Sequence, residues 1–175
     1  MATRGARRAV LLAALLVLAG AVVVVVRVVG SSPPPAAPLA RCKAVDTPYS
    51  LSTEQAANAA TISAVAIRRG LPSRAVTIAL AAAIQESKLV NLDYGDRDSV
   101  GLFQQRPSQG WGPAVKLQNP VYATGKFYDA LVKVHGWRTR PVTQVAQAVQ
   151  QSGYPQAYAQ WERTAAALSD AFVGT

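Results

Sequence analysis

The sequence predicts an all-α domain of about 130 residues, with at most a small hairpin, behind a single amino-terminal transmembrane helix. Three observations predict it: an 18-residue uncharged apolar run near the start, a series of helix caps and stops from residue 52 onward, and one short polar break at 91–99.

The apolar run is Ala9 to Val26, and Val28 and Val29 extend it past Arg27. At about 1.5 Å per helical residue it nearly crosses a hydrocarbon core, and Arg27 can snorkel from its end. A cleavable signal peptide is the alternative, which would leave the protein secreted. Its cleavage site would have to be Ala19-Gly20-Ala21, which five valines follow directly. Residues 9–29 are therefore expected to be a retained anchor behind a basic tail, 1–8. Residues 30–43 contain SSPPPAAP, an extended proline-rich linker. Cys42 follows Arg41, an unfavourable neighbour for a lipobox, and a single cysteine excludes an internal disulfide. The expected location is the cell membrane, single-pass, with the domain at 44–175 extracytoplasmic.

The net charge of +9 is unevenly placed. Arg4, Arg7, Arg8, Arg27 and Arg41 flank the anchor, leaving 13 basic against 9 acidic residues from Lys43 onward. The domain is mildly basic and has no Lys/Arg run interleaved with aromatics, which argues against a nucleic-acid partner. Attraction to an anionic polymer such as a bacterial wall suits it equally.

Within the domain, Ser52-Thr53-Glu54-Gln55 is a capping box, and Gly70 sits where a C′ glycine ends the helix. Pro72 and Ser73 open a second helix whose stretch Ala75 to Ile84 is apolar on all sides apart from Thr77, marking it as the central buried helix. A third helix is expected from Asn119-Pro120 to His135-Gly136. A fourth follows Pro141, with Val142, Val145, Ala146 and Val149 on one face. The last starts at Pro155 with a stripe of Tyr158, Trp161, Ala165, Leu168 and Phe172.

Elimination narrows the chemistry. One histidine and one cysteine cannot build a usual zinc site. Gly125-Lys126 lacks the rest of a P-loop, and no G-x-S-x-G occurs. His135 reads as a residue suited to a helix C-terminus. Asp96-Arg97-Asp98 imitates an EF-hand start, but its twelfth position is Pro107. No metal and no cofactor are expected. Glu86 is then the residue of interest, as the only carboxylate between Glu54 and Asp93, near the end of the most apolar helix. Spacing groups it with Ala79, Ala83 and Val90. The negative end of the helix dipole and partial burial both favour its protonated form, as a general acid requires. An ordinary surface glutamate paired with a basic residue is the competing reading.

Ala82-Ala83-Ile84-Gln85-Glu86-Ser87 is followed, fifteen residues after Glu86, by Gly101-Leu102-Phe103-Gln104. This resembles the lysozyme-like superfamily, specifically the soluble lytic transglycosylase domain with its Glu-Ser helix end and Gly-Leu-Met-Gln segment. The stretch NLDYGDRDSVGLFQQRPSQGWG is similar to small actinobacterial cell-surface proteins of that superfamily. The resemblance implies a lysozyme-like fold, Glu86 as the sole catalytic acid, and peptidoglycan as the partner. It also implies a sugar cleft lined by Ser87, Gly101, Leu102, Phe103 and Gln104. Gly101 would let a polysaccharide approach the backbone, Gln104 would bind hydroxyl or acetamide groups, and Trp111 would pack against a sugar face or cap the core. The family's third segment, Ala-Tyr-Asn, is matched here by Ala148-Val149-Gln150, without its tyrosine. Gln150 is kept as a substrate contact, and Tyr154 is the candidate substitute for the tyrosine.

The expected function is glycan-strand cleavage by lytic transglycosylase or muramidase chemistry. A non-catalytic glycan-binding module and a structural envelope protein are the rivals. A hydrolase would need a second carboxylate, and Asp93, Asp96 and Asp98 are the candidates close in sequence. In the transglycosylases that the chain resembles none is required.

Overall fold

The structure, a computed structural model, describes residues 49–154 and 156–174, all in the second of the chain's two units, Leu39–Thr175. The anchor at 9–29, the linker at 30–43 and Cys42 lie outside the described residues. Among the described residues no helix is long and apolar enough to cross a membrane.

The domain is all-α, and its order is α1 (Thr53–Arg68), α2 (Ser73–Ser87), α3 (Ala114–Leu117), α4 (Pro120–Leu131), α5 (Val142–Gln150) and α6 (Glu162–Val173). Single 3₁₀ turns occupy Pro107–Gln109 and Ala159–Trp161. The one β feature among the described residues is an isolated antiparallel bridge between Val100 and Gln105.

α1 starts on the expected capping box, with Ser52 Oγ accepting from the Gln55 amide and the Gln55 side chain returning to the Ser52 N–H. It ends in a Schellman arrangement: Gly70 has φ +63°, its N–H reaches Ile67, and the Leu71 N–H reaches Ala66. α2 is the central helix. Every residue from Ile78 to Ile84 is fully buried, and α1, α4, α5 and α6 all pack on it. Its five buried alanines let those neighbours come close. The expected face of α5 is buried as well: Val142, Val145, Ala146 and Val149.

Two helix boundaries and one additional helix differ from expectation. α4 stops at Leu131, not at His135-Gly136. Lys133, Val134 and Trp137 make i→i−3 backbone bonds, tightening the chain into turns that carry Trp137 into the core. His135 is thus an exposed turn residue whose carbonyl accepts from Arg140. The single turn α3, opened by Pro113, was not anticipated. The last helix begins at Glu162; the expected start, Pro155, lies outside the described residues. The 3₁₀ turn before it has three residues per turn, which aligns Tyr158 with Trp161 so that both reach the end of α2. The stripe itself holds, with Tyr158, Ala165 and Leu168 buried and Trp161 and Phe172 packed on the core.

Candidate active site

The site grows from the way α2 ends. Glu86 is its penultimate residue, and the two residues after its end, Lys88 and Leu89, have φ of 56° and 63°. Two successive non-glycine residues in left-handed conformation cost roughly 1–2 kcal/mol each, so other groups must hold them. α1 supplies them: Gln55 Nε2 donates to the Lys88 carbonyl at 2.7 Å and Asn58 Nδ2 to the Leu89 carbonyl at 2.8 Å. Gln55 therefore closes the first turn of α1 and the last turn of α2 at once. Ser87 adds a third tie, its buried hydroxyl shared between the Ala83 and Leu102 carbonyls at 3.1 and 2.8 Å.

Held this way, the half-buried Glu86 side chain accepts a 2.7 Å hydrogen bond from the Tyr158 hydroxyl at Oε1. The Gln150 amide and the Lys88 ammonium both lie close enough to favour its charged form. Burial dominates: it raises the Glu86 pKa above the ordinary carboxylate value, against the lowering by Tyr158, Gln150 and Lys88. Tyr158 is fully buried and its own pKa is raised, by burial first and then by the charge and hydrogen bond of Glu86. It stays a donor across the working pH range. The adjacent Gln85 is pinned by the same turn, its Oε1 accepting from Trp161 Nε1 at 2.7 Å and from Gln160 at 3.2 Å. The Lys88 ammonium lies 4.4 Å from the Trp161 ring centre. Val90, expected on the face of Glu86, falls beyond the helix.

The other expected site residues divide into supports and surface groups. Ser87, Leu102 and Phe103 are buried and do not present side chains to a ligand. Phe103 stacks on Phe127 at 4.6 Å, clamping its loop to α4, while its carbonyl accepts from Gln150 Nε2 at 2.8 Å. Gly101 is also enclosed: a Cβ there would sit 2.6 Å from the Leu117 carbonyl, so its missing side chain admits α3 and not a polysaccharide. Gln104, at φ 46°, turns its amide back to the Tyr94 and Gly101 carbonyls, each at 3.2 Å. Tyr154 is 78% exposed, and the hydroxyl that bonds Glu86 is that of Tyr158. Tyr158 fills the place expected of Tyr154. A tyrosine on an apolar stripe has a hydroxyl needing a partner, and the central helix offers Glu86; that pairing was the available signal.

The candidate second carboxylates behave differently again. Asp93 and Asp96 are exposed, and Asp96 stands 3.9 Å from Arg97, which is exposed too. Asp98 is bound into its own loop by the Ser108 N–H at 2.8 Å, Arg106 Nε at 2.7 Å and the Ser108 hydroxyl at 3.0 Å. Those bonds, the Ser108 backbone first, hold its carboxyl well below the usual range.

Beside this constellation lies a cleft of about 410 Å³, lined by the Gln109–Trp111 turn, the end of α5 from Ala148 to Gln151, and the face of α4 that carries Lys126 and Asp129. Glu86 does not line it; Gln150 does, and the same Gln150 lies close enough to Glu86 to favour its charged form. Trp111 thus both packs on the core and faces the cleft. No family model and no curated protein matches this chain.

Proposed function

We propose that this chain cleaves the glycan strands of peptidoglycan as a lytic transglycosylase with a lysozyme-like fold, using Glu86 as general acid and then as base. The observation that carries the reading is the desolvated Glu86 carboxyl at the end of a buried helix, oriented at Oε1 by the Tyr158 hydroxyl. Oε2 carries the proton. As the bond between the muramyl C1 and the bridging oxygen breaks, that proton goes to the leaving oxygen and positive charge develops on the ring. The muramyl 6-hydroxyl oxygen then bonds to C1, and its proton returns to the Glu86 carboxylate. Atoms balance without water, and no second carboxylate takes part. The engagement of Asp98 with Arg106 and Ser108 favours this route over a muramidase. Trp111 and Gln150 offer an aromatic face and an amide to the strand. In this reading residues 9–29 hold the domain at the membrane, facing the wall.

Full-length protein purified in detergent and incubated with peptidoglycan sacculi should release soluble muropeptides. Intact sacculi after prolonged incubation would overturn the proposal and favour a binding or structural role.

A further inference from the structure

The cleft carries a charge pattern that the cleavage chemistry does not use. Lys126, Asp129 and Lys133 lie three and four residues apart along α4 and the turn after it, and all three line the cleft. At that spacing Asp129 would ordinarily pair with one of the lysines. Arg69 prevents it. From the end of α1 its Nη2 donates to Asp129 Oδ1 at 2.8 Å while its Nη1 holds the Gly125 carbonyl at 3.0 Å. The Arg69–Asp129 pair is neutral, and among the described residues neither Lys126 nor Lys133 has a salt bridge. No other lining residue is acidic, so the cleft keeps two uncompensated ammonium groups. Gln109, Trp111, Gln150 and Gln151 supply amides and an aromatic ring, which are all that a neutral sugar requires. Two free cations in a concave site suit an anion.

We infer that this cleft selects glycan bearing carboxylate substituents, seating a carboxylate against Lys126 and Lys133 while the sugar lies toward Trp111 and Gln150. This rests on the glycan-cleavage reading and names the part of the substrate, beyond the sugar backbone, that the protein recognises. Peptidoglycan carries such carboxylates in two places, on the peptide stems and on the lactyl ether of a muramyl residue whose stem has been removed.

The test measures binding to the full-length Glu86→Gln chain, which holds substrate without turning it over. Three probes of matched length are used: stem-bearing strands, strands stripped of stems, and neutral N-acetylglucosamine oligomers. At low salt the carboxylate-bearing probes should bind about tenfold more tightly than the neutral one, and salt well above physiological strength should erase the preference. Adding Lys126→Gln and Lys133→Gln should erase it equally, leaving neutral affinity and the helical circular-dichroism signal unchanged. Lys126→Arg with Lys133→Arg should restore it. Arg69→Gln, which frees Asp129 to pair with the lysines, should weaken it by a smaller factor. Preference for both charged probes identifies the lactyl carboxylate as sufficient; preference for stem-bearing strands alone identifies the stem. A double glutamine variant that keeps the preference overturns this inference and leaves glycan cleavage standing. A lysine-intact chain that binds none of the probes overturns both.

Discussion

Glu86 and Asp98 are twelve residues apart in sequence, and the fold treats their carboxyls in opposite ways. Glu86 ends a helix enclosed by four others, so desolvation dominates and its pKa rises. Asp98 sits in a polar loop where a backbone N–H, a guanidinium and a hydroxyl converge, so its pKa falls. Only a shift of the first kind moves a carboxyl toward the range in which a general acid works at neutral pH. One of the second kind stays charged at neutral pH and serves to shape its loop. The contrast teaches that the sequence cluster of Asp93, Asp96 and Asp98, richer in carboxylates than the helix, is the poorer place to look for an acid.

The sharpest way to break that contrast is Glu86→Gln, which keeps the shape and the Tyr158 bond but removes the proton. Peptidoglycan cleavage should fall by about 10³-fold or more, as measured by muropeptide release. The same variant should gain thermal stability at neutral pH. A raised native pKa means that the native state binds the proton more tightly, so this contribution is present below the unfolded value of about 4.3 and is lost as pH rises through the native value. The midpoint of melting should therefore exceed that of wild type by a few degrees at pH 7 and match it at pH 3.

Tyr158→Phe sharpens the comparison from the other side. Removing a hydrogen bond that favours the ionised carboxyl should raise the Glu86 pKa further. The alkaline limb of the kcat/KM profile should move to higher pH, while kcat falls by about tenfold to a hundredfold because the carboxyl loses its orientation. A limb that moves to lower pH would contradict the assigned role.

Asp98→Asn should cost only a few-fold in rate, and its main effect should appear in stability. The lowered pKa of Asp98 contributes stability above its unfolded value of about 3.9 that is lost as pH falls through the native value. Acid-melting curves should show wild type losing stability in that range and the variant showing a smaller loss there. Smallest of all, Asp93→Asn and Asp96→Asn should leave turnover within about twofold, since exposed charges of this kind contribute little.

Much of the fold was legible because helix signals are local. The capping box at Ser52, the glycine at 70 and the all-round apolarity of Ala75 to Ile84 each specify an element without knowledge of its neighbours. The misread boundaries lie where tertiary demands win: Trp137 draws the chain inward past Leu131, and Tyr158 with Trp161 forces a 3₁₀ turn ahead of α6. The candidate site was legible only as Glu86, whose isolation on an apolar helix is visible in one dimension. Its surroundings were not. Ser87, Gly101, Leu102 and Phe103 belong to the same motif, yet a motif does not say which atoms face inward. Ser87 ties the end of α2 to Leu102, Gly101 packs on the Leu117 carbonyl and Phe103 on Phe127, so these residues brace the loop from within. Tyr154 and Tyr158 differ by four positions, and only packing of the last helix onto α2 selects the second.

The central claim, that a single carboxyl performs the cleavage, is tested most directly by mass spectrometry of the fragments that the wild-type protein releases from peptidoglycan. The account predicts 1,6-anhydromuramyl ends, still formed by Asp93→Asn, Asp96→Asn and Asp98→Asn and absent with Glu86→Gln. Reducing muramic acid as the sole product, with one of the aspartate variants inactive, would contradict it.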